Sequence, residues 1–326
     1  MGVLIGVDEA GYGPNLGPLV IAATAWEVPG DPRKADLWTL FADCVSQSSD
    51  PTESTIHVAD SKVVHSSAQG IAAIERSATA ILKLAGRRCA SLFELWDDLT
   101  DGNHRRDCGE PWFCGDDLAL PIAERWSDTV SRRGSPAPPS ESSLARWTKR
   151  CEDTQCHLIG VACEIVPART FNTAVNDCGT KGRVLSEATL RLVRRLWNPA
   201  DGERALVLCD KHGGRDRYAD LLADAFPEEL PLSLEESRTL SRYRLGDGEV
   251  RFQVRSEEHL PVAAASIVAK YLREACMEAF NAYWLARQPN LRPTRGYPVD
   301  AKRFLEAIEV EAADLGLERD VYWRCR

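Results

Sequence analysis

Four carboxylates stand where their type and spacing bear on chemistry. Asp8 and Glu9 close an apolar run over residues 3–8, and Asp210 closes the fully apolar run 205–209. Glu274 follows the small-residue run Ala263-Ala264-Ala265-Ser266, with Ile267, Lys270 and Glu274 at i, i+3 and i+7, one face of a helix. Small residues let such a helix lie close to a sheet. If that face meets the strand ends, all four acids converge, and clustered carboxylate oxygens suit Mg²⁺ or Mn²⁺. Two such ions about 3.5–4 Å apart activate a water and stabilise the leaving oxygen of a phosphodiester. The plainer alternative stays open on these residues alone: acids at strand ends are common, and Glu274 is equally suited to a surface or ion-pair role.

These residues need a scaffold. Residues 3–8 read as a strand delivering its acids at the carboxyl end. Gly11, Gly13, Pro14, Gly17 and Pro18 form a turn-rich loop, and Leu19–Val28 reads as a second strand, giving an antiparallel hairpin. Residues 46–55 read as loop. Ile71, Ile74, Ala78, Ile81 and Leu82 predict a helix over 70–84. Further strands are expected at 158–166, 205–209 and 249–254, and further helices at 186–197, 215–225 and 302–313. Residues 261–288, opened by Pro261 and free of internal Pro and Gly, read as one long helix. The pattern is α/β, with early strands adjacent and later ones separated by helices. Residues 87–157 break it: Trp96, Trp112, Trp126 and Trp147, and a Gly/Ser/Pro-rich linker at 134–140, predict an inserted, mainly helical subdomain. A catalytic domain is then expected over 1–86 and 158–326.

Composition narrows the class. A chain of 326 residues buries a large core without staples. Its 44% hydrophobic and 27% charged residues are those of a globular protein. The longest apolar stretches fall short of the roughly 20 residues that span a bilayer. The opening MGVLIGVDEAG has no basic region and meets two acids by position 9, unlike a signal peptide. A soluble, cytoplasmic chain is expected, with its 11 cysteines reduced. The net charge of −9 argues against nonspecific coating of nucleic acid. It leaves room for a nucleic-acid enzyme with a local basic groove, since metal-binding acids count as charge until metals neutralise them.

Gly6-Val7-Asp8-Glu9-Ala10-Gly11-Tyr12-Gly13-Pro14 and Gly17-Pro18-Leu19-Val20 resemble the opening of the type 2 ribonucleases H, ribonuclease HII and HIII. Asp60-Ser61-Lys62, Asp210, residues 264–270 (AASIVAK) and Arg295-Gly296-Tyr297 resemble that family's later motifs, in order. The resemblance covers roughly 1–85 and 158–312. It implies a ribonuclease H-like mixed sheet flanked by helices. It implies endonucleolytic cleavage of the RNA strand of RNA–DNA hybrids, or at ribonucleotides embedded in DNA, leaving 3′-hydroxyl and 5′-phosphate ends. It implies Asp8, Glu9, Asp210 and Glu274 as catalytic ligands of two Mg²⁺ or Mn²⁺ ions. Gly11, Tyr12 and Gly13 would meet ribose 2′-hydroxyls through their main chain, Lys62 a phosphate, and Tyr297 a neighbouring sugar. Glycine permits close backbone approach, and the 2′-hydroxyl is what separates RNA from DNA.

Two positions depart from the pattern. Ribonuclease HII usually carries Arg where this chain has Tyr12, and Asp where it has Glu274. A terminal Glu resembles the ribonuclease HIII set, yet nothing here resembles that family's extra N-terminal domain. These departures define a competing expectation: a catalytically weak protein that binds hybrids and keeps the fold. Lys211, Arg215 and Arg217 are candidates to hold phosphate, and His212 to move a proton. In the insertion, His104, Cys108, Cys114, Cys151, Cys156 and His157 are zinc-ligand types, but their Cys-x5-Cys and Cys-x4-Cys spacings miss the tight knuckle. Buried free thiols are the simpler expectation. The insertion is also a candidate surface for a protein partner.

Overall fold

Alternation along the opening strand decides the architecture. Val3, Ile5 and Val7 are buried on one side and Leu4 on the other, as a strand covered on both faces requires. The structure, a computed structural model, describes residues 1–48, 54–66, 70–87, 90–100, 105, 108–115, 117–120 and 141–325. Its main sheet contains β1 (Gly2–Ala10), β2 (Leu19–Val28), β3 (His157–Val166), β4 (Ala205–Asp210), β5 (Leu232–Glu236), β6 (Leu240–Leu245) and β7 (Gly248–Gln253). Their order is β3-β2-β1-β4-β7-β6-β5. The pairs β1–β2 and β2–β3 are antiparallel, β1–β4 and β4–β7 are parallel, and β5 and β6 complete an antiparallel edge on β7. A mixed sheet flanked by helices is what the motif resemblance implies.

Besides one turn of helix at Leu37–Leu40, the helices among the described residues are α1 (Ser61–His65), α2 (Ile71–Leu84), α3 (Leu92–Leu99), α4 (Glu141–Thr154), α5 (Ala168–Cys178), α6 (Lys181–Leu196), α7 (Ala219–Ala225), α8 (Leu260–Leu285), α9 (Pro298–Asp314) and α10 (Arg319–Tyr322). One face of the sheet carries α2, α3, α4, α8 and α9, and the other carries α5, α6 and α7. Among the described residues no helix is long and apolar enough to cross a membrane.

Several boundaries differ from the sequence expectation. α6 starts at Lys181 because the Thr180 side chain accepts from Arg183 N and caps it there. The helix expected over 215–225 begins only at Ala219. α5 and the hairpin β5–β6 were not expected. The described part of 87–157 has no core of its own. Trp147 stacks on Trp26 of β2 with centroids 6.0 Å apart, and Trp112 meets Phe280 of α8 at 4.8 Å. Trp96, Trp112 and Trp147 join the main core. Trp126 and the 134–140 linker lie outside the described residues.

Candidate active site

α8 brings side chains to the strand ends, and one glycine allows it. A Cβ at Gly6 would stand 2.2 Å from the backbone of Pro261 and Val262, so α8 enters directly across β1. Thr24 Oγ1 of β2 donates to Pro261 O at 2.8 Å and fixes that crossing. Five residues on, the Ser266 hydroxyl lies 3.0 Å from Ser61 Oγ and hydrogen-bonds Asp8. Val7 pairs with Cys209 in the parallel β1–β4 ladder. Asp8 and Asp210 therefore leave adjacent strands at one level, with strands about 5 Å apart.

Three of the four sequence-predicted acids come together here. Burial, then the charges of Asp210 and Asp60, pushes Asp8 up to about 7, against the Ser266 hydrogen bond. Burial, then the charges of Asp8 and Asp210, pushes Glu9 up to about 8. Asp210 is raised by burial and by Glu257. Two of these neighbours were missed. Asp60 caps α1, its side chain accepting from Lys62 N at 2.8 Å. Glu257 lies in the 3-10 turn Ser256–Glu258, which links β7 to α8. Its signal was legible as an acid just before the small-residue helix.

Glu274 lies elsewhere. It is eight residues past Ser266, about 12 Å along a helix. Its Oε1 accepts from Lys270 Nζ at 2.7 Å and its Oε2 from Arg295 Nη1 at 2.7 Å, with Arg273 Nη1 at 3.5 Å. Those cations, Lys270 first, hold its carboxyl below the usual range despite burial. The four-acid convergence anticipated from helical spacing is replaced by the ion-pair alternative. The eight-residue step turns the correct face but carries Glu274 past the strand ends.

The glycine loop is pinned from beneath. Gly11 has φ +90°, and a Cβ there would stand 2.5 Å from Arg273 Nε and 2.6 Å from Pro18 O. Asn15 N and Leu16 N donate to Gly296 O at 2.8 and 3.3 Å, which ties the loop to the Arg295-Gly296-Tyr297 turn. Tyr297 is 50% exposed, with the Arg273 guanidinium 5.8 Å from its ring centroid. Lys181 Nζ lies 4.8 Å from the Tyr12 ring centroid, and Gly13 is exposed. Lys62 has a 91% exposed side chain whose charge bears on both Asp8 and Glu9.

Other candidates have structural duties. Lys211 Nζ donates to Ser237 O at 2.7 Å and to Ser241 Oγ at 2.8 Å, buried away from any phosphate. His212 is buried with Nδ1 2.9 Å from Ser186 Oγ, and burial pushes it down to about 3. It stays neutral and holds α6 to β4. Burial pushes the thiols of Cys108, Cys151 and Cys156 up to about 12. His104 lies outside the described residues.

Oxygen donors, with charges that burial and mutual repulsion make unfavourable, fit a hard divalent cation. Among the described residues no three His, Cys, Asp or Glu side chains form a ready metal cage. The fit of Asp8, Glu9 and Asp210 is one of charge and donor type.

Fold and site thus define an α/β protein whose mixed sheet gathers acids at the ends of two adjacent parallel strands. No family model matches the chain, and no curated protein does. Among solved structures it is similar to the Archaeoglobus fulgidus ribonuclease HII in its complex with PCNA, at 16% identity and a TM-score of 0.41 over 99% of this chain and 94% of that one. It is similar to the ribonuclease H2 of Pyrococcus horikoshii OT3, at 16% identity and 0.42 over 98% and 92%. It is also similar to Bst ribonuclease HIII in complex with Mn²⁺, at 16% identity and 0.38 over 99% and 66%. Likeness at this level carries no argument about chemistry, which rests on the residues of this chain.

Proposed function

We propose that the chain is a metal-dependent endonuclease that cuts the RNA strand of RNA–DNA hybrids, or ribonucleotides embedded in DNA. Cutting would leave 3′-hydroxyl and 5′-phosphate ends. The observation that carries this reading is the meeting of Asp8, Glu9 and Asp210 beside a glycine loop with exposed main chain. A protein that only bound hybrids would gain nothing from holding three like charges at one place.

Asp8, Glu9 and Asp210 would hold Mg²⁺ or Mn²⁺, with Asp60 and Glu257 as further oxygen donors at the rim. Two such ions supply stabilisation of the attacking and leaving oxygens of a phosphodiester. The chain's other groups bind and orient. Lys62 offers an exposed ammonium to a phosphate next to the acids. The main chain at Tyr12 and Gly13 offers hydrogen-bonding groups to a ribose 2′-hydroxyl. Tyr297 offers a half-exposed ring to a sugar or base. Glu274 fixes Arg295, and with it the approach of Tyr297.

The test uses three labelled duplexes: one ribonucleotide in DNA, a continuous hybrid, and all DNA, each with Mg²⁺ and with Mn²⁺. Metal-dependent cutting of a ribonucleotide-containing duplex, lost in Asp8→Asn, is the expected result. Folded protein that binds hybrid and cuts none of the three would overturn the nuclease reading in favour of the binding protein.

A further inference from the structure

We propose that Arg324 is a positioning residue for the glycine loop, setting the main chain that meets substrate without touching substrate itself. The functional half of this inference rests on the hybrid-cleaving reading; the structural half does not.

Arg324 is 1% exposed, and its Nη2 donates to both Gly11 O and Pro14 O. Its backbone N–H donates to Asn15 O at 2.8 Å, and its carbonyl accepts from Asn15 Nδ2 at 3.3 Å. One residue thus holds three residues of the loop from inside. The segment carrying it is itself anchored. Asn172 of α5 donates through Nδ2 to Asp320 O at 3.1 Å and to Trp323 O at 2.9 Å, and accepts from Cys325 N at 2.7 Å. Arg169 pairs with Glu318 at 3.2 Å and Asp320 at 3.5 Å. The guanidinium lies 5.0 Å from the Phe171 ring centroid.

Packing alone does not account for this arrangement. Arg324 and Arg273 are both buried beneath the loop, where Arg273 disfavours the Arg324 charge and the buried Glu110 only partly offsets the cost of burial. Arg324 also leaves Nε and Nη1 without a partner among the described residues. Burying a cation on such terms is unfavourable unless it enforces a geometry. The geometry enforced is that the carbonyls of Gly11 and Pro14 turn inward. Tyr12 and the exposed Gly13 are then the loop's outward main chain. These are the groups that would meet a ribose.

The test compares the full chain with Arg324→Lys, Arg324→Gln and Asn172→Ala by hydrogen exchange and by hybrid cleavage. Arg324→Gln is expected to speed exchange at least tenfold at Asn15 and Leu16, whose amides donate to Gly296 O, with β1 and β2 amides unchanged. Arg324→Lys keeps the charge but loses the fork that bridges two carbonyls, and falls between. For the hybrid, KM rises about tenfold in Arg324→Gln while kcat stays within a few-fold. Unchanged exchange at the loop overturns the clamp. Faster exchange with unchanged KM overturns its role toward substrate. If the unaltered chain cuts no duplex, the nuclease reading falls, and exchange alone decides the clamp. Should Arg324→Gln not fold, Asn172→Ala loosens the same segment with Arg324 in place and gives the same two readings.

Discussion

Two charge clusters about 12 Å apart along α8 handle the same residue types in opposite ways. At the strand ends, Asp8, Glu9 and Asp210 meet with few cations and are raised by burial and repulsion. Two turns on, Glu274 is more enclosed still, at 1% exposed, but sits among Lys270, Arg273 and Arg295 and is lowered. The first cluster has few compensating cations within the chain, and on the proposed reading a divalent cation would supply them. The second is satisfied within the chain and acts as a joint between α8, the glycine loop and the Arg295–Tyr297 turn. A buried acid is therefore a poor guide to chemistry until its partners are known.

The sharpest way to break this comparison is to remove one acid from each cluster. Asp8→Asn should lower cleavage of a ribonucleotide-containing duplex roughly a thousandfold or more, since metal-based charge stabilisation is worth several kcal/mol. Glu274→Gln, assayed at a temperature where it is folded, should stay within about tenfold of the parent. A thousandfold loss in Glu274→Gln, with the fold intact, would return Glu274 to the catalytic set.

Stability should rank the two acids the other way. Glu274→Ala leaves Arg273, Lys270 and Arg295 without their acid, and Arg273 is 1% exposed. Removing one partner of a buried pair costs about 3–5 kcal/mol. Urea unfolding should show that loss, and a change under about 1 kcal/mol would show the cluster to be more solvated than its geometry implies.

How far the sequence reached follows the same division. The hairpin β1–β2, β4 and α8 were legible because their burial is written as apolar runs, and Gly6 and the small residues of α8 as close approach. The edge hairpin β5–β6 was not legible, because β5 is exposed along its whole length. Its order comes from pairing with β6 and from Tyr243 Oη donating to Glu236, neither of which shows as periodicity. Residues 87–157 looked independent because their tryptophans are dense in sequence. Their partners, Trp26 and Phe280, lie far away along the chain. At the site, Glu274 had the correct helical phase, but phase does not report how far along the helix the sheet ends. Asp60 enters as a helix cap within the Asp60-Ser61-Lys62 motif, and Glu257 from the turn before the small-residue helix, where an acid alone does not tell which way it faces.

A third acid extends the contrast into pH. Glu110 is buried, accepts from Trp112 Nε1 at 2.8 Å and from Ala168 N, and is pushed up to about 8 by burial, with Arg324 pulling the other way. A folded value above the unfolded one, about 4.5, means that the folded state holds the proton more tightly. Its stabilisation is full below about pH 4.5 and is lost as pH rises through 8. Glu274, lowered, gives the opposite sign: present above the unfolded value and lost as pH falls through the folded one. Glu110→Gln should remove on the order of 3 kcal/mol of the decline between pH 5 and 8, read as urea midpoints against pH. An unchanged slope would show that Glu110 is ionised in the folded chain, paired with Arg324.

The smallest expected effect separates two lysines. Lys270 is 13% exposed and bonded to Glu274, whereas Lys62 has a 91% exposed side chain beside the acids and pairs only loosely with Asp60, at 3.8 Å. An exposed ammonium contributes little to folding, so Lys62→Ala should leave the urea midpoint within about 0.5 kcal/mol of the parent. Toward a duplex it should act as one phosphate contact. KM should rise severalfold, by about 1 kcal/mol, and the log–log slope of affinity against salt should become shallower by about one. A lost midpoint with an unchanged salt slope would mean that Lys62 neutralises the acids for the fold rather than meeting a phosphate, and the distinction between the two lysines would collapse.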